Sequence, residues 1–400
     1  MTKQSLIAAD FGFGEDQEML RDSARKLLDE RIPVERLRKL VADDGPRIYD
    51  EGERPSWDEA LWKEIVELGW TTLAVPEQAG GVGFNLVGII GLLEEVGRHA
   101  LPSPLVSTIL ATLVLREAEL DASGPWLRRI AGGAAATLAS VGQRGEWEVL
   151  DEHVVAREAS GGIVLDGRAY FVQDAFKSEL LVATARLGQA DLLFVLPIDT
   201  PGIRLEQNHI HDLTRDQAIV HFESARVSPD ALVSQQAEAV LRRARPALLA
   251  SVSADLCGCG EWQLQTTVEY ARTRKQFDRP IGFFQAVKHP LVDAMIAIDR
   301  ARSLSYQAAA CVDVGSPDAE RYARMAKSAA SDAGAFISDR SVQLHGGIGF
   351  TWESDLHIFF KRSLHNQALY GDGVHHRHEL ANQLIGPIES PATDPTLPSA

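Results

Sequence analysis

The chain has 400 residues, 45% of them apolar and 24% charged, and a formal net charge of −16 with histidine neutral. That composition excludes a disordered or collagen-like chain, and the acidic balance argues against nonspecific nucleic-acid binding. No window approaches the roughly 18 uninterrupted apolar residues of a membrane span, and the first residues lack the basic start and apolar run of a secretory signal, so the sequence reads as cytoplasmic. Three cysteines, Cys257, Cys259 and Cys311, are too few for a disulfide framework and read as buried reduced thiols.

In chain order, Leu20, Ala24, Leu27, Leu28, Ile32, Leu37 and Leu40 recur at helical spacing, with Pro33 dividing the stretch into two helices. A third helix is predicted over Trp57 to Leu68 behind a Ser56 cap, and a fourth over Leu86 to His99, before Pro102 and Pro104. After Gly132-Gly133, short apolar runs at 137–139, 153–156, 163–165, 180–183 and 192–196 are punctuated by Gly, Asp and Pro, which is strand spacing. Helical periodicity returns over about 231–274, 284–313, 317–344 and 354–368. The predicted fold class is α+β: an N-terminal helical domain (1–132), a middle antiparallel β-barrel or sandwich (133–230), a C-terminal helical domain (231–386) and a flexible tail (387–400) rich in proline.

The order helical, β, helical lacks the βαβ alternation of a dinucleotide-binding sheet. The run His345-Gly346-Gly347-Ile348-Gly349-Phe350 follows a predicted helix, so its glycines first suggest a helix C-cap. A planar guanidinium at Arg274, near the end of a helix, has the fork geometry to bind a pyrophosphate, and the alternative is a solvated surface arginine. Gly346 and Gly347 leave backbone amides open to a nucleotide, with Gln343 one turn earlier offering a donor and an acceptor. His375, His376 and His378 lack the H-E-x-x-H arrangement and point to different faces of a helix start, so no metal site is expected.

Three segments taken together resemble one family. Tyr270-Ala271-Arg272-Thr273-Arg274-Lys275-Gln276-Phe277-Asp278-Arg279-Pro280-Ile281-Gly282-Phe283-Phe284-Gln285 is similar to the acyl-CoA dehydrogenase signature, Gln343 to Thr351 is similar to that family's glycine turn, and Gly69-Trp70, Val75-Pro76-Glu77, Gly80 to Gly83 and Glu94 to Arg98 resemble its N-terminal helical domain. The resemblance implies a C-terminal four-helix bundle and FAD, its ring between the β-domain and the bundle and its adenosine-pyrophosphate end gripped by a neighbouring subunit. It assigns cofactor roles to Arg274, Gln276, Phe277, Gln343, Gly346 and Gly347. Phe171 and Gln173 fall where the family has an aromatic packed on the flavin and a threonine at its N5 edge; a plain buried strand is the alternative there. The implied reaction is α,β-desaturation of an acyl-CoA thioester, with an electron-transfer flavoprotein or similar acceptor and a homo-oligomer or a heterotetramer with a related subunit.

The general base departs from the pattern. The family glutamate, nine residues after an arginine that here is Arg362, falls on Gly371; the other family position falls on Leu248. Asp372 is the nearest carboxylate and the candidate base, a turn-forming Asp-Gly being the alternative. The loop that lines the flavin and acyl mouth in the family is replaced by Ala139 to Glu146. Such absences, with the segments Gly349 to Glu353 and His375 to Ala381, resemble the actinobacterial branch acting on steroid side-chain CoA thioesters with two unlike subunits. A catalytically silent structural subunit is the alternative function. Arg274, Lys361 and Arg362 are the basic residues expected to offset the acidic chain around an anionic CoA ligand.

Overall fold

A computed structural model describes residues 11–42, 57–148, 153–160 and 162–386. The predicted tail at 387–400 and Ser56 lie outside them. Helices α1 (Glu15–Arg31) and α2 (Val34–Ala42) break at Pro33, whose ring fixes the backbone and removes a donor. Helix α3 (Glu59–Glu67) starts later than predicted, and Asp58 caps it, accepting the Leu61 N–H at 3.0 Å. Asn85 caps α4 (Leu86–Arg98) in the same way. Helices α5 (Leu105–Arg116) and α6 (Leu120–Ala131) complete this part; α5 is buried on nearly every side, so its sequence carries no amphipathic period to read.

The middle segment holds β1 (Ala136–Ala139), β2 (Val154–Ala159), β3 (Gly162–Gln173), β4 (Leu180–Leu187), β5 (Ala190–Pro197), β6 (Ile203–Asn208), β7 (Gln217–Val227) and β8 (Leu232–Ser234). Their order is β6-β7-β3-β2-β4-β5-β8, with β1 also on β4. This corrects the barrel expectation: β6 and β8 end an open path. It also corrects the antiparallel one, because β1 (Ala136 against Leu180) and β2 (Val155 against Arg186) lie parallel to β4. The apolar alternation that marks a strand is the same for either direction of its neighbour, so the sequence could not tell them apart.

Helices α7 (Ala237–Thr273), α8 (Gln285–Asp313) and α9 (Ala319–His345) pack mutually, and α10 (Leu356–Ala368) and α11 (Gly373–Ile385) lie against α9. The expected four-helix arrangement is thus three long helices with two shorter ones. Helix α4 crosses α7 at backbone contact: a Cβ on Gly258 would fall 1.8 Å from the Glu94 carbonyl oxygen. That approach, open only to glycine, ties the N-terminal helices to α7 and fixes the level of Asp255 one turn away. The three cysteines are buried and unpaired.

Candidate active site

A cavity of about 790 Å³ opens where α5, the β1–β2 connection, the end of β3, the start of β7 and the α10–α11 loop converge. Its walls are mostly apolar, with Val106, Leu110, Leu138, Trp147 and Tyr370 among them. The rings of Trp147 and Tyr370 lie 5.4 Å apart.

Beneath it runs a buried polar network joining three parts of the chain. Arg362, fully buried on α10, donates from Nε and Nη2 to both oxygens of Asp255 on α7 at 2.9 and 2.6 Å, and from Nη1 to Thr214 Oγ1 at 2.8 Å. Arg215 and Asn366 bond the same carboxylate at 2.9 and 2.7 Å. Burial pushes Asp255 up, but Arg362 and Arg215 outweigh it and hold the carboxyl below its ordinary range. Asp174, at the end of β3, accepts from Ser107 on α5 and from Lys177. Arg362 is therefore not available to an anionic ligand, contrary to the sequence expectation. Lys361 is half-buried, its ammonium 4.5 Å from the Trp352 ring centroid.

Among the sequence candidates, Phe171, Gln173 and Asp372 line this cavity. Phe171 is 39% exposed and holds a left-handed backbone (φ 55°). The Gln173 amide is engaged on all sides: its nitrogen donates to Phe171 O and Gln217 Oε1, and its oxygen accepts from His365 Nε2 at 2.6 Å. Burial draws His365 down to about 4, so the imidazole is neutral and donates one proton to Gln173. Gln173 thus closes the β-domain onto α10 and has no free N–H for a ligand.

Asp372 is the N-cap of α11, accepting the His375 N–H at 2.8 Å. That bond, with a second from the Val374 N–H, pulls its carboxyl below the ordinary value. A base for a weakly acidic α-carbon needs the opposite shift. Glu148 is also less basic than an ordinary carboxylate: burial raises it, but Arg324, His375 and Arg245 prevail and bring it to about 2. His376 donates from Nε2 to the Tyr370 carbonyl at 2.9 Å, and Lys327 Nζ donates to the carbonyls of Gln367 and Gly371 at 2.9 and 2.7 Å. Burial lowers the Lys327 amine to about 7, opposed by Asp372.

Arg274, Gln276, Phe277, Gln343, Gly346 and Gly347 are exposed and do not line this cavity. The Tyr270 and His345 rings stack at 4.1 Å, joining the ends of α7 and α9. Beyond α7 a two-residue hairpin pairs Lys275-Gln276 with Arg279-Pro280, and its turn residues Phe277 and Asp278 both have positive φ. Phe277 is 85% and Phe350 81% exposed. Arg274 has no ion-pair partner among the described residues.

Sequence reasoning missed Lys327, Arg215 and His365. Lys327 had one signal, a cation among the buried small residues Ala323, Ala326 and Ala330 of its helix. Arg215 lies in a charged loop before β7, and nothing in its spacing marked it.

The scaffold is α+β, with helical, sheet and helical parts in that order and a cavity at their junction. Residues 14–134 match the acyl-CoA dehydrogenase N-terminal domain and residues 236–385 the acyl-CoA dehydrogenase C-terminal domain. The chain is 31% identical over 353 residues to the acyl-CoA dehydrogenase IpdE2 of Mycobacterium tuberculosis, covering 87% of this chain and 91% of that one. Among solved structures, it is similar to a variant of the Tcur3481-Tcur3483 steroid ACAD (TM-score 0.81, 27% identity, 92% of this chain and 98% of that one). It is also similar to the ChsE4-ChsE5 complex of Mycobacterium tuberculosis (TM-score 0.83, 25% identity, 96% and 100%). The chain belongs to the acyl-CoA dehydrogenase family. No described helix is long and apolar enough to cross a membrane.

Proposed function

We propose that this chain is one subunit of a cytoplasmic, FAD-dependent acyl-CoA dehydrogenase that desaturates a bulky, steroid-derived acyl-CoA thioester, with the proton-accepting carboxylate supplied by a related subunit. One observation carries the division of labour: Gly371 occupies the base position, and the neighbouring Asp372 is bound to its own helix and made less basic. The size of the cavity and its apolar wall suit a bulky acyl group, and the similarity to a steroid ACAD and to a complex of two named proteins supports both halves of the reading.

The residues fit FAD by their donor chemistry. Arg274 offers a fork of charge-assisted donors for the pyrophosphate, and a Cβ at Gly346 or Gly347 would meet nothing within 4 Å, so the backbone there is open to a nucleotide. Gln276, Phe277 and Gln343 complete that surface, which would hold the nucleotide end of a neighbour's cofactor. Phe171 would pack on the ring system, while Gln173 fixes the wall behind it. Bound FAD would supply the hydride acceptor. The chain's own part is to bind the acyl group between α5 and the Trp147–Tyr370 pair, exclude water, and keep the wall rigid through His365 and Gln173. The electron acceptor on this reading is an electron-transfer flavoprotein or a similar carrier.

Expression with and without the related subunit tests this. Flavin retention and bleaching of its absorbance by a steroid-derived acyl-CoA are expected only in the mixed assembly. Full activity of a homogeneous homo-oligomer would overturn the shared site. In the mixed assembly, Asp372→Asn should keep the cap, cost less than about 1 kcal/mol of stability, and leave stopped-flow flavin reduction near the parent rate. A loss of about 10²–10⁴-fold would instead make Asp372 the base.

A further inference from the structure

We propose that Arg215 and Gln217, at the buried end of the cavity, bind a neutral acceptor oxygen on the acyl group, remote from its thioester. The substrate class is then a polycyclic acyl-CoA with a ring ketone rather than a plain hydrocarbon one. The inference rests on the proposed function for the ligand being a bulky acyl-CoA thioester.

The cavity has an open end and a buried end. Arg144 and Asp372 in its wall are exposed, and Gly371, the base position, lies beside Asp372. Ser107, Thr137, Gln173, Arg215 and Gln217, also in its wall, are buried. An acyl group whose reacting carbons lie at the α10–α11 loop directs its far end to this second set.

The hydrogen bonds of that set leave donors without acceptors. The Ser107 and Thr137 hydroxyls donate to Asp174 and to the Gln173 carbonyl. His365 holds the Gln173 side-chain oxygen, so the Gln173 nitrogen meets Gln217 Oε1 at 2.7 Å, and the Gln217 amide nitrogen is turned away from it. Among the described residues that nitrogen has no acceptor, and it keeps accessible surface. Asp216, between the two residues at the entry to β7, faces Lys177 and the Phe176 N–H and is absent from the cavity wall. Arg215 Nη2 donates to Asp255 at 2.9 Å, whereas Nη1 stands 3.6 Å from Asp174, beyond hydrogen-bond distance, and likewise keeps accessible surface.

These donors call for an acceptor, and the charge around them selects a neutral one. Asp255, Asp174 and Asp212 lie 2.9, 3.6 and 3.9 Å from the Arg215 guanidinium. Asp255 is held ionised by its arginines, and so is Asp174: burial raises its carboxyl, but Lys177 and Arg215 prevail. A carboxylate on the ligand would meet these like charges, whereas a ketone oxygen accepts from such donors and adds no charge. A hydrocarbon would displace water from Arg215 and Gln217 and return no acceptor, which costs affinity.

The test is calorimetric binding to the mixed assembly of CoA thioethers, which lack the thioester carbonyl and so have no acidic α-proton to lose. The probes share one saturated tetracyclic skeleton: the hydrocarbon, isomers with a single ketone stepped around the ring farthest from sulfur, and a carboxylate counterpart. At least one ketone isomer is expected to bind about 10-fold or more tightly than the hydrocarbon, and the carboxylate no more tightly than the hydrocarbon. Gln217→Glu keeps the oxygen that receives Gln173 and removes the open donor; Gln217→Leu removes both. Each should bring ketone and hydrocarbon within about threefold of one another, and Arg215→Lys, which loses the planar fork, should also reduce the preference. The series on the parent decides even where a variant does not fold. Ketone isomers that all bind within about threefold of the hydrocarbon overturn the inference and leave the proposed function standing. A preference that persists in the Gln217 and Arg215 variants, or a carboxylate that binds best, overturns it as well. If no member of the series binds, the proposed function fails and the inference falls with it.

Discussion

Arg362→Leu is expected to lower stability by about 3–5 kcal/mol, because it removes one partner of a buried, hydrogen-bonded pair and leaves the other charged and under-compensated. Asp255 would keep Arg215 and Asn366 but lose both bonds of the fork, and Thr214 would lose its donor. The damage is not local. Asp255 sits beside the backbone contact of α4 and α7, Thr214 and Arg215 belong to the loop entering β7, and Arg362 lies on α10, so one guanidinium ties together the elements that wall the cavity. A denaturant midpoint falling by less than the equivalent of about 1 kcal/mol would mean that these parts hold together without it. Arg362→Lys, which keeps charge but not the fork, should fall between. The acid limb moves too. Asp255 has a folded pKa below its unfolded value, so its contribution is present above about pH 4 and is lost as pH falls through the depressed value. Without Arg362 that depression shrinks, and the acid loss should begin at a higher pH than in the parent.

The legible part of this protein is the part written in periodicity and local chemistry. Pro33 dividing two helices, the long helices at the C-terminus and the glycine cap at Gly346 follow from rules that act within a few residues. The cap of α3 is Asp58, a carboxylate just before the apolar run and an equally local signal. Strand direction around β4 is a long-range property, and no alternation of side chains carries it. The site divides in the same way. The motif residues Arg274, Gln276, Phe277, Gln343, Gly346 and Gly347 fall in two short segments, 274–277 and 343–347, each read by local rules, and all of them are exposed. The cavity instead draws single residues from five elements, such as His365 closing on Gln173 across 192 positions, and Lys327 was hidden in an alanine-rich stripe. Asp372 shows how a correct location can carry a different chemistry: the loop lies at the cavity, but the Asp-Gly step that drew attention to it is also the start of a helix, and the helix takes the carboxylate.

The second large effect is expected at the surface motif. Arg274 is exposed and without an ion-pair partner among the described residues, so Arg274→Ala should change folding stability by no more than about 0.5 kcal/mol. Its guanidinium is nonetheless exposed and without an ion pair, near the end of α7, whose Tyr270 stacks on His345 just before Gly346. A hydrogen bond to a charged group contributes about 1.5–3 kcal/mol, and a fork shared with a pyrophosphate would contribute about 2–4 kcal/mol once partial solvation of the exposed site is allowed for. At roughly 1.4 kcal/mol per decade that is about 30- to 700-fold in FAD affinity. Arg274→Lys should recover part of it, since the point charge remains while the planar fork is lost. Titration of apoprotein in the mixed assembly with FAD, followed by flavin fluorescence, measures the change directly, and an unaltered denaturant midpoint excludes unfolding as its cause. FAD affinity within threefold of the parent would remove Arg274 from the cofactor surface and leave the strained hairpin at Phe277 and Asp278 to be explained by subunit contact alone.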